Sequence, residues 1–319
     1  MGDLARGFEA YETRWPLRQS RPRDFPKPAW DGAPFPGRRL LLHAEQGFGD
    51  SIQFIRYLPQ VAALGGEVIV ECPTALVRLF KALPGIAEVV ANGAILPAFD
   101  LHAPLMSLGR LLGTTLATIP AAVPYLAAPA ARFDLPVPPG TRLKVGIAWA
   151  GRPDHKNDRN RSCPVEHFLA LAGRPGVALY SLQKGERAGD IAAAVAAGRV
   201  VDLGPRLEDF ADTAAAIARL DLVISVDTAV AHLAGALGRP LWVALPFMPD
   251  WRWLLEREDS PWYPTARLFR QRRRGDWAEP FARVVAALDE LTGPSVGEPD
   301  SGAARAPAEG GSAAGRCYR

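Results

Sequence analysis

Residues 221–240 read DLVISVDTAVAHLAGALGRP, and the order of residue types there sets the class of fold. Leu222-Val223-Ile224-Ser225-Val226 is a short apolar, β-branched run, the pattern of a strand buried on both faces of a parallel sheet. Asp227 and Thr228 follow at once. An Ala/Leu run from Ala229 to Leu237 is then closed by Gly238, with Pro240 just beyond. That run predicts a helix with Asp227 or Thr228 as its N-cap and Gly238 as its stop. A buried strand feeding directly into a helix aims free backbone N–H groups at one point and makes an anion site. His232 falls one turn in, on or near the face of Thr228. Two readings fit this stretch alone. It is part of a phosphate or diphosphate pocket, or it is a plain strand–cap–helix unit whose histidine only packs.

The same rhythm recurs along the chain. Arg39–Ala44 reads as a strand, followed by the turn Glu45-Gln46-Gly47-Phe48-Gly49-Asp50 and then a helix in which Ile52, Ile55, Leu58 and Ala62 share a face. The two glycines allow a tight turn and a close ligand approach. Further strands are expected at 67–71, 89–90, 99–102, 143–149, 177–182, 200–203 and 241–245. Helices are expected at 74–83, 164–173, 190–197 and 208–220 and within 277–291. The implied organisation is a lead-in (1–37), an N-terminal Rossmann-like domain (38–125), a Pro/Ala-rich linker (126–140), a C-terminal Rossmann-like domain (141–292) and a disordered tail (293–319). Within the lead-in, Leu4–Trp15 reads as a short amphipathic helix. The Pro/Arg-rich stretch after it carries Trp30 and Phe35, which with Trp15 are expected to dock on a neighbouring element. Strands alternating with helices on both sides of a linker mean two doubly wound α/β domains facing a cleft. Ligands of such sheets bind beyond the carboxyl ends of the strands, where the loops 45–50, 150–162 and 226–228 lie.

The net charge is +3, too small to argue for a nucleic-acid partner. The basic run Arg270–Arg274 reads as a solvated loop. Cys72, Cys163 and Cys317 form neither a metal motif nor a disulfide framework, which fits a reducing compartment. No apolar run approaches a membrane span, so stable membrane insertion is not expected, and the chain reads as cytoplasmic.

Sorted by chemistry, Thr228 and the N–H groups of Ala229 and Val230 are donors at a helix start. Lys156, Arg159, Arg161 and Lys184 are cations on neighbouring loops, enough to neutralise a diphosphate without a metal. Asp154, His155 and Asp158 read as solvated loop rather than a metal site. Asp50 is an ordinary helix N-cap, or a carboxylate facing the cleft from the other domain. Trp149 is read as core, Gln183 and Lys184 as donor contacts, and His43, His102 and His167 as structural. Glu45 and Gln46 either shape the glycine turn or touch an acceptor. The aromatic loop 247–263 is read as a satellite core closing the cleft.

Taken in order, GFGDSIQFIRYLP, WAGRPDHKNDRNRS, SLQKGE and ISVDTAVAHLAGALGRP resemble glycosyltransferase family nine, the heptosyltransferases. The chain is more specifically similar to the C-terminal glycosyltransferase module of bacterial tetratricopeptide-repeat proteins. GFEAYETRW resembles the final repeat helix, and DWRWLL, DSPWYP and LFRQ match that subgroup. The resemblance implies a GT-B fold and a nucleotide-diphospho-sugar as donor substrate, with no cofactor and no metal. It implies Asp50 as general base in the Gly49-Asp50 turn. Asp227, Thr228 and His232 correspond to the donor motif, with Ala229 where the family usually has Gly. Arg161 stands nearest the family's basic loop residue, usually Lys, and Glu186 aligns loosely with a ribose-contacting acid. The implied reaction is an inverting displacement in which Asp50 deprotonates an acceptor hydroxyl. The helix at Thr228, Arg161 and Lys184 stabilise the departing diphosphate. The acceptor would be a protein such as flagellin or a surface-glycan precursor. The competing reading is a non-catalytic nucleotide-sugar-binding or scaffolding module attached to repeats.

Overall fold

The computed structural model describes residues 2–14, 23–129 and 133–292; Trp15 and the expected tail 293–319 lie outside the described residues. Helix α1 (Leu4–Tyr11) is capped by Asp3, whose carboxylate accepts from the Arg6 N–H, and it buries Leu4 and Phe8. The N-terminal sheet contains β1 (Arg39–His43), β2 (Glu67–Cys72), β3 (Glu88–Ala91) and β4 (Leu101–Pro104). Its order is β3-β2-β1-β4, and every pair is parallel. One face, Leu40, Leu42, Val68 and Val70, packs on α2 (Phe48–Phe54) and α3 (Thr74–Phe80). The other, Leu41, Ile69 and Val90, is covered by Phe25, Leu96 and Phe99. Phe25 of the lead-in and the connection between β3 and β4 therefore cover the sheet face that α2 and α3 leave open. The Trp30 N–H donates to the His102 carbonyl at 2.8 Å, and Trp30 and Phe35 are buried, so both aromatics dock as expected.

The C-terminal sheet has the order β10-β9-β8-β5-β6-β7 and is also parallel throughout. Its strands are β5 (Leu143–Ala148), β6 (Val177–Ser181), β7 (Val200–Asp202), β8 (Leu222–Val226), β9 (Leu241–Leu245) and β10 (Ala266–Arg270). The helices that matter below are α4 (Phe210–Ile217), α5 (Ala229–Ala236) and α6 (Ala278–Thr292). The expected helix over 190–197 begins instead as a tight 3₁₀ segment, Glu186–Ile191, and continues as Ala192–Ala196. Strand β10 was not expected, because its alternation Arg267-Leu268-Phe269-Arg270 sits beside a run of arginines and reads as loop.

Strand order reverses between β1 and β4 in one sheet and between β5 and β8 in the other. Loops leaving such strands diverge and open a crevice, the switch point where doubly wound sheets take ligands. The loops concerned are 44–47 in the first domain, and 149–162 and 227–228 in the second.

The two domains share one core. A single buried cluster runs from Leu40, Phe54 and Tyr57 through Leu126 to Leu233, Val243, Trp262 and Tyr263. A second cluster, with Val145, Phe168, Ile224 and Phe281, fills the other face of the C-terminal sheet under α6. Arg56 crosses the junction. It is 3% exposed, and its guanidinium donates to the Trp262 carbonyl at 2.8 Å and the Tyr125 hydroxyl at 3.0 Å. The linker starts pinned as well, since the N–H groups of Tyr125 and Leu126 both donate to the Ala236 carbonyl.

Candidate functional site

The start of α5 is an open helix terminus. Thr228 occupies the N-cap position in extended conformation, but its side chain makes no capping bond. Its hydroxyl instead lies 3.0 Å from that of Ser225. Thr228 is thus the N-cap residue, as expected, without a side-chain capping bond. The first N–H groups of the helix stay free to meet an anion, with the helix dipole behind them. Gly238 stops the helix as expected, with φ at 66° and its N–H on the Gly235 carbonyl.

Arg161 is brought to this terminus. Its Nη1 donates to the Asp227 carbonyl at a long 3.4 Å, and its buried Nε has no hydrogen-bond partner. Asp158 Oδ1 lies 3.5 Å from that Nε, an ion pair within the loop, so the guanidinium reaches the uncapped helix start partly compensated and with hydrogen-bonding capacity left for a negatively charged oxygen. Gly151 makes room for it, since any Cβ at that position would collide with the Arg161 guanidinium. His155 belongs to the same neighbourhood. Burial and then the charge of Arg161 lower its pKa, against the pull of Asp158, Asp227 and Asp50. The imidazole is thus within electrostatic reach of carboxylates from both domains. The His155 side chain is exposed, as the solvated-loop reading of 154–158 expects.

Lys184 is not drawn into the cluster by any described contact; its ammonium donates to the Gly204 carbonyl at 2.9 Å. Gln183 is also corrected. Its amide oxygen accepts from the N–H groups of Trp149 and Ala150, and its nitrogen donates to the carbonyls of Ala150 and Lys184. All its capacity holds the loop, leaving little for a donor. Trp149 is fully buried, as read. Glu186 begins the exposed 3₁₀ segment.

The glycine turn reaches this region from the other domain. A Cβ on Gly49 would lie 2.7 Å from His232 Cδ2 and 3.5 Å from Ala229 Cα, so α2 meets α5 with no space for a side chain. Asp50 follows directly, at the third position of α2. Its Oδ2 accepts from the Gly47 N–H at 2.9 Å, which is a local cap. Its Oδ1 is paired with Arg252 of the C-terminal domain. Glu45 forms a bidentate pair with Arg14, and Gln46 donates to the Tyr11 hydroxyl, so both have structural partners in and just after α1.

Sequence reasoning assigned Arg252 no role, although a quoted motif contains it. It lies within DWRWLL, inside the aromatic stretch read as satellite core. That reading holds for Trp253, Trp262 and Tyr263, which are fully buried. Arg252 is buried among them and donates to Gln53, Asp50 and Asp250, the last at 2.8 Å. Burial alone would lower its pKa, but the carboxylates of Asp250 and Asp50 outweigh that and raise it. Arg270, expected in a solvated run, is structural too. It donates to the carbonyls of Trp253, Leu254 at 3.1 Å and Arg257 at 2.7 Å.

His232 is held on three sides. Its Nδ1 is 2.8 Å from the Tyr263 hydroxyl, its ring stacks on Trp253, and its Nε2 lies 3.6 Å from Asp227 Oδ1. Burial keeps the Tyr263 phenol protonated well past its ordinary pKa. With the phenol as donor to Nδ1, the ring proton is on Nε2, the nitrogen that faces Asp227. Burial of the Asp227 carboxyl pushes its pKa up, but the interaction with His232 and the charge of Arg252 win, so it is lowered. The structure thus gathers Gly49, Asp50, Arg161, Asp227, Thr228, Ala229 and His232, adds Arg252, Tyr263, Trp253 and His155, and leaves Lys184 apart.

Two parallel doubly wound domains, joined where their switch points face each other, define the GT-B class of glycosyltransferases. Solved structures of that class superpose on the chain. They include ADP-heptose LPS heptosyltransferase II of E. coli (TM-score 0.56, 16% identity, covering 79% of this chain and 98% of that one). Heptosyltransferase WaaC of E. coli with ADP gives a TM-score of 0.52 at 13% identity, covering 79% and 99%. At these identities the likeness shows a common fold. The sequence comparison points the same way: residues 164–245 match Glycosyltransferase family 9 (heptosyltransferase). Protein FlbA of Caulobacter vibrioides is 30% identical over 324 residues, covering 91% of this chain and 53% of FlbA; the chain spans about half the length of this curated relative.

Proposed function

We propose that this chain is a metal-independent, inverting glycosyltransferase that moves a sugar from a nucleotide-diphospho-sugar to a hydroxyl in the cytoplasm. The acceptor hydroxyl is on a protein such as flagellin or on a surface-glycan precursor, and the chain is the C-terminal module of a tetratricopeptide-repeat protein. The observation that carries the reaction is the meeting of the Gly49-Asp50 turn with the open N-terminus of α5. One domain supplies a carboxylate, and the other supplies a helix start without a side-chain cap and a guanidinium whose Nε makes no hydrogen bond. Asp50 takes the proton of the attacking hydroxyl as that oxygen bonds to the anomeric carbon. The bond to the diphosphate breaks with inversion, and its electrons leave on the nucleoside diphosphate. The first N–H groups of α5 and Arg161 stabilise that growing charge. General-base assistance of this kind contributes about 10²–10⁴-fold.

The test has two arms. A thermal-shift series of nucleoside diphosphates and nucleotide sugars identifies the donor, because a ligand at about 100 times its Kd adds about 2.7 kcal/mol of stability. Transfer is then measured with that donor for the wild type and Asp50→Asn. We expect Asp50→Asn to lose transfer by about 10²-fold or more while binding the nucleoside diphosphate normally. Normal turnover by this variant would remove Asp50 as the base. One observation favours the second reading, a binding or scaffolding module without catalysis: both oxygens of Asp50 already have partners, Gly47 and Arg252. Tight donor binding with no transfer to any acceptor would establish that reading.

A further inference from the structure

Three features of residues 250–254 converge on Asp50. The first is geometry. Arg252 leaves a short 3₁₀ turn, Trp251–Trp253, whose N-cap Asp250 accepts from the Arg252 N–H at 3.1 Å and from its guanidinium at 2.8 Å. The remaining arms of the fork cross the domain junction to Gln53 and Asp50, both on α2. The second is strain. Leu254 has φ 56° and ψ −158°, a region that residues other than glycine rarely occupy. It persists because Arg270 holds the carbonyls on both sides, those of Trp253 and Leu254. The third is direction. Within this turn Arg252 reaches α2 while the next residue, Trp253, stacks on His232 of α5. One strained turn thus touches the proposed base and the donor motif together.

We propose that Arg252 is a positioning residue for the transfer reaction: its fork fixes the Asp50 carboxylate relative to the start of α5, and the strained turn at Leu254 fixes the fork. This rests on Asp50 being the base. Each arm of the guanidinium has one acceptor, so the carboxylate is oriented from the donor domain while Gly47 holds its other oxygen from within α2. A carboxylate held from two directions presents its remaining lone pairs to the cleft at a defined angle. A misplacement of about 1 Å costs about 10²-fold in a step that depends on near-attack geometry.

The experiment is a double-mutant cycle on the full chain with Asp50→Asn and Arg252→Gln. It is read as kcat for transfer, residual transfer included, and as the dissociation constant of the nucleoside diphosphate. Wild-type transfer is measured first; its absence overturns both this assignment and the proposed reaction. Where the wild type transfers, Arg252→Gln is expected to lower kcat by about 10–100-fold and to leave nucleotide binding within about two-fold. In the Asp50→Asn background the same change is expected to cost nothing further, because a residue acting through Asp50 has nothing left to position. Equal losses in both backgrounds, or an unchanged kcat for Arg252→Gln, overturn the assignment while leaving the reaction standing. Asp250→Asn keeps the guanidinium but loosens one arm, and it guards against misfolding of the glutamine variant. Its kcat is expected to fall between wild type and Arg252→Gln, again only with Asp50 present; full activity in Asp250→Asn together with an unfolded Arg252→Gln counts against positioning.

Discussion

His43 shows how much one buried side chain can decide. It is 4% exposed, neither ring nitrogen has a partner, and burial, followed by the positive neighbours His102, Arg23 and Arg14, lowers its pKa from 6.5 to about 3. The unfolded chain takes up this proton below 6.5, whereas the folded chain refuses it until about 3. Folding stability is therefore lost as pH falls through that window, at up to about 1.4 kcal/mol per pH unit from this group. We expect His43→Leu to flatten the decline, measured as urea-unfolding free energies between about pH 7 and about pH 5; parallel slopes for the two proteins would contradict it. The structural role of His43 was legible, because a histidine ending an apolar strand is usually packed. Arg252 was not. An arginine in an aromatic run gives no sign of its partners, and Asp50 and Gln53 are about two hundred positions away in the chain.

At the scale of elements, the strands and helices that carry the site were read from local pattern, and the details that failed were those set by tertiary contact. The run 222–226 and the Ala-rich run after it became β8 and α5. Thr228 is the N-cap as expected, but its hydroxyl lies 3.0 Å from that of Ser225 and makes no capping bond. This has a measurable consequence. A capping threonine replaced by alanine usually costs about 1 kcal/mol. Thr228→Ala is expected to cost clearly less in denaturant unfolding, yet to weaken nucleoside-diphosphate binding several-fold in calorimetry. A full capping loss with unchanged binding would assign the hydroxyl to stability instead. Strand β10 escaped notice for a similar reason. Arg270 looked like a surface charge, and only the folded loop 253–257 supplies the carbonyls that explain it.

At the scale of the whole molecule, two sheets and their facing switch points were foreseeable, but their union was not. A Pro-rich linker suggests independent halves, whereas the buried cluster passes without a break from Leu40 to Tyr263, and Arg56 and Arg252 are each sunk into the opposite domain. We therefore expect thermal unfolding to show one cooperative transition, with calorimetric and van't Hoff enthalpies in agreement. Two resolved transitions would mean that the shared core contributes little. The same continuity limits what recombination can do with this scaffold. GT-B enzymes invite chimeras that graft one protein's donor half onto another's acceptor half. Here the seam runs through side chains, not through the linker. A graft cut at 126–140 would strand Arg56 without the Trp262 carbonyl, and Asp50 without its guanidinium. The practical unit of exchange is the donor half together with α2 and the 3₁₀ turn Ile55–Tyr57 that follows it, so donor specificity and the glycine turn would have to be inherited as a pair.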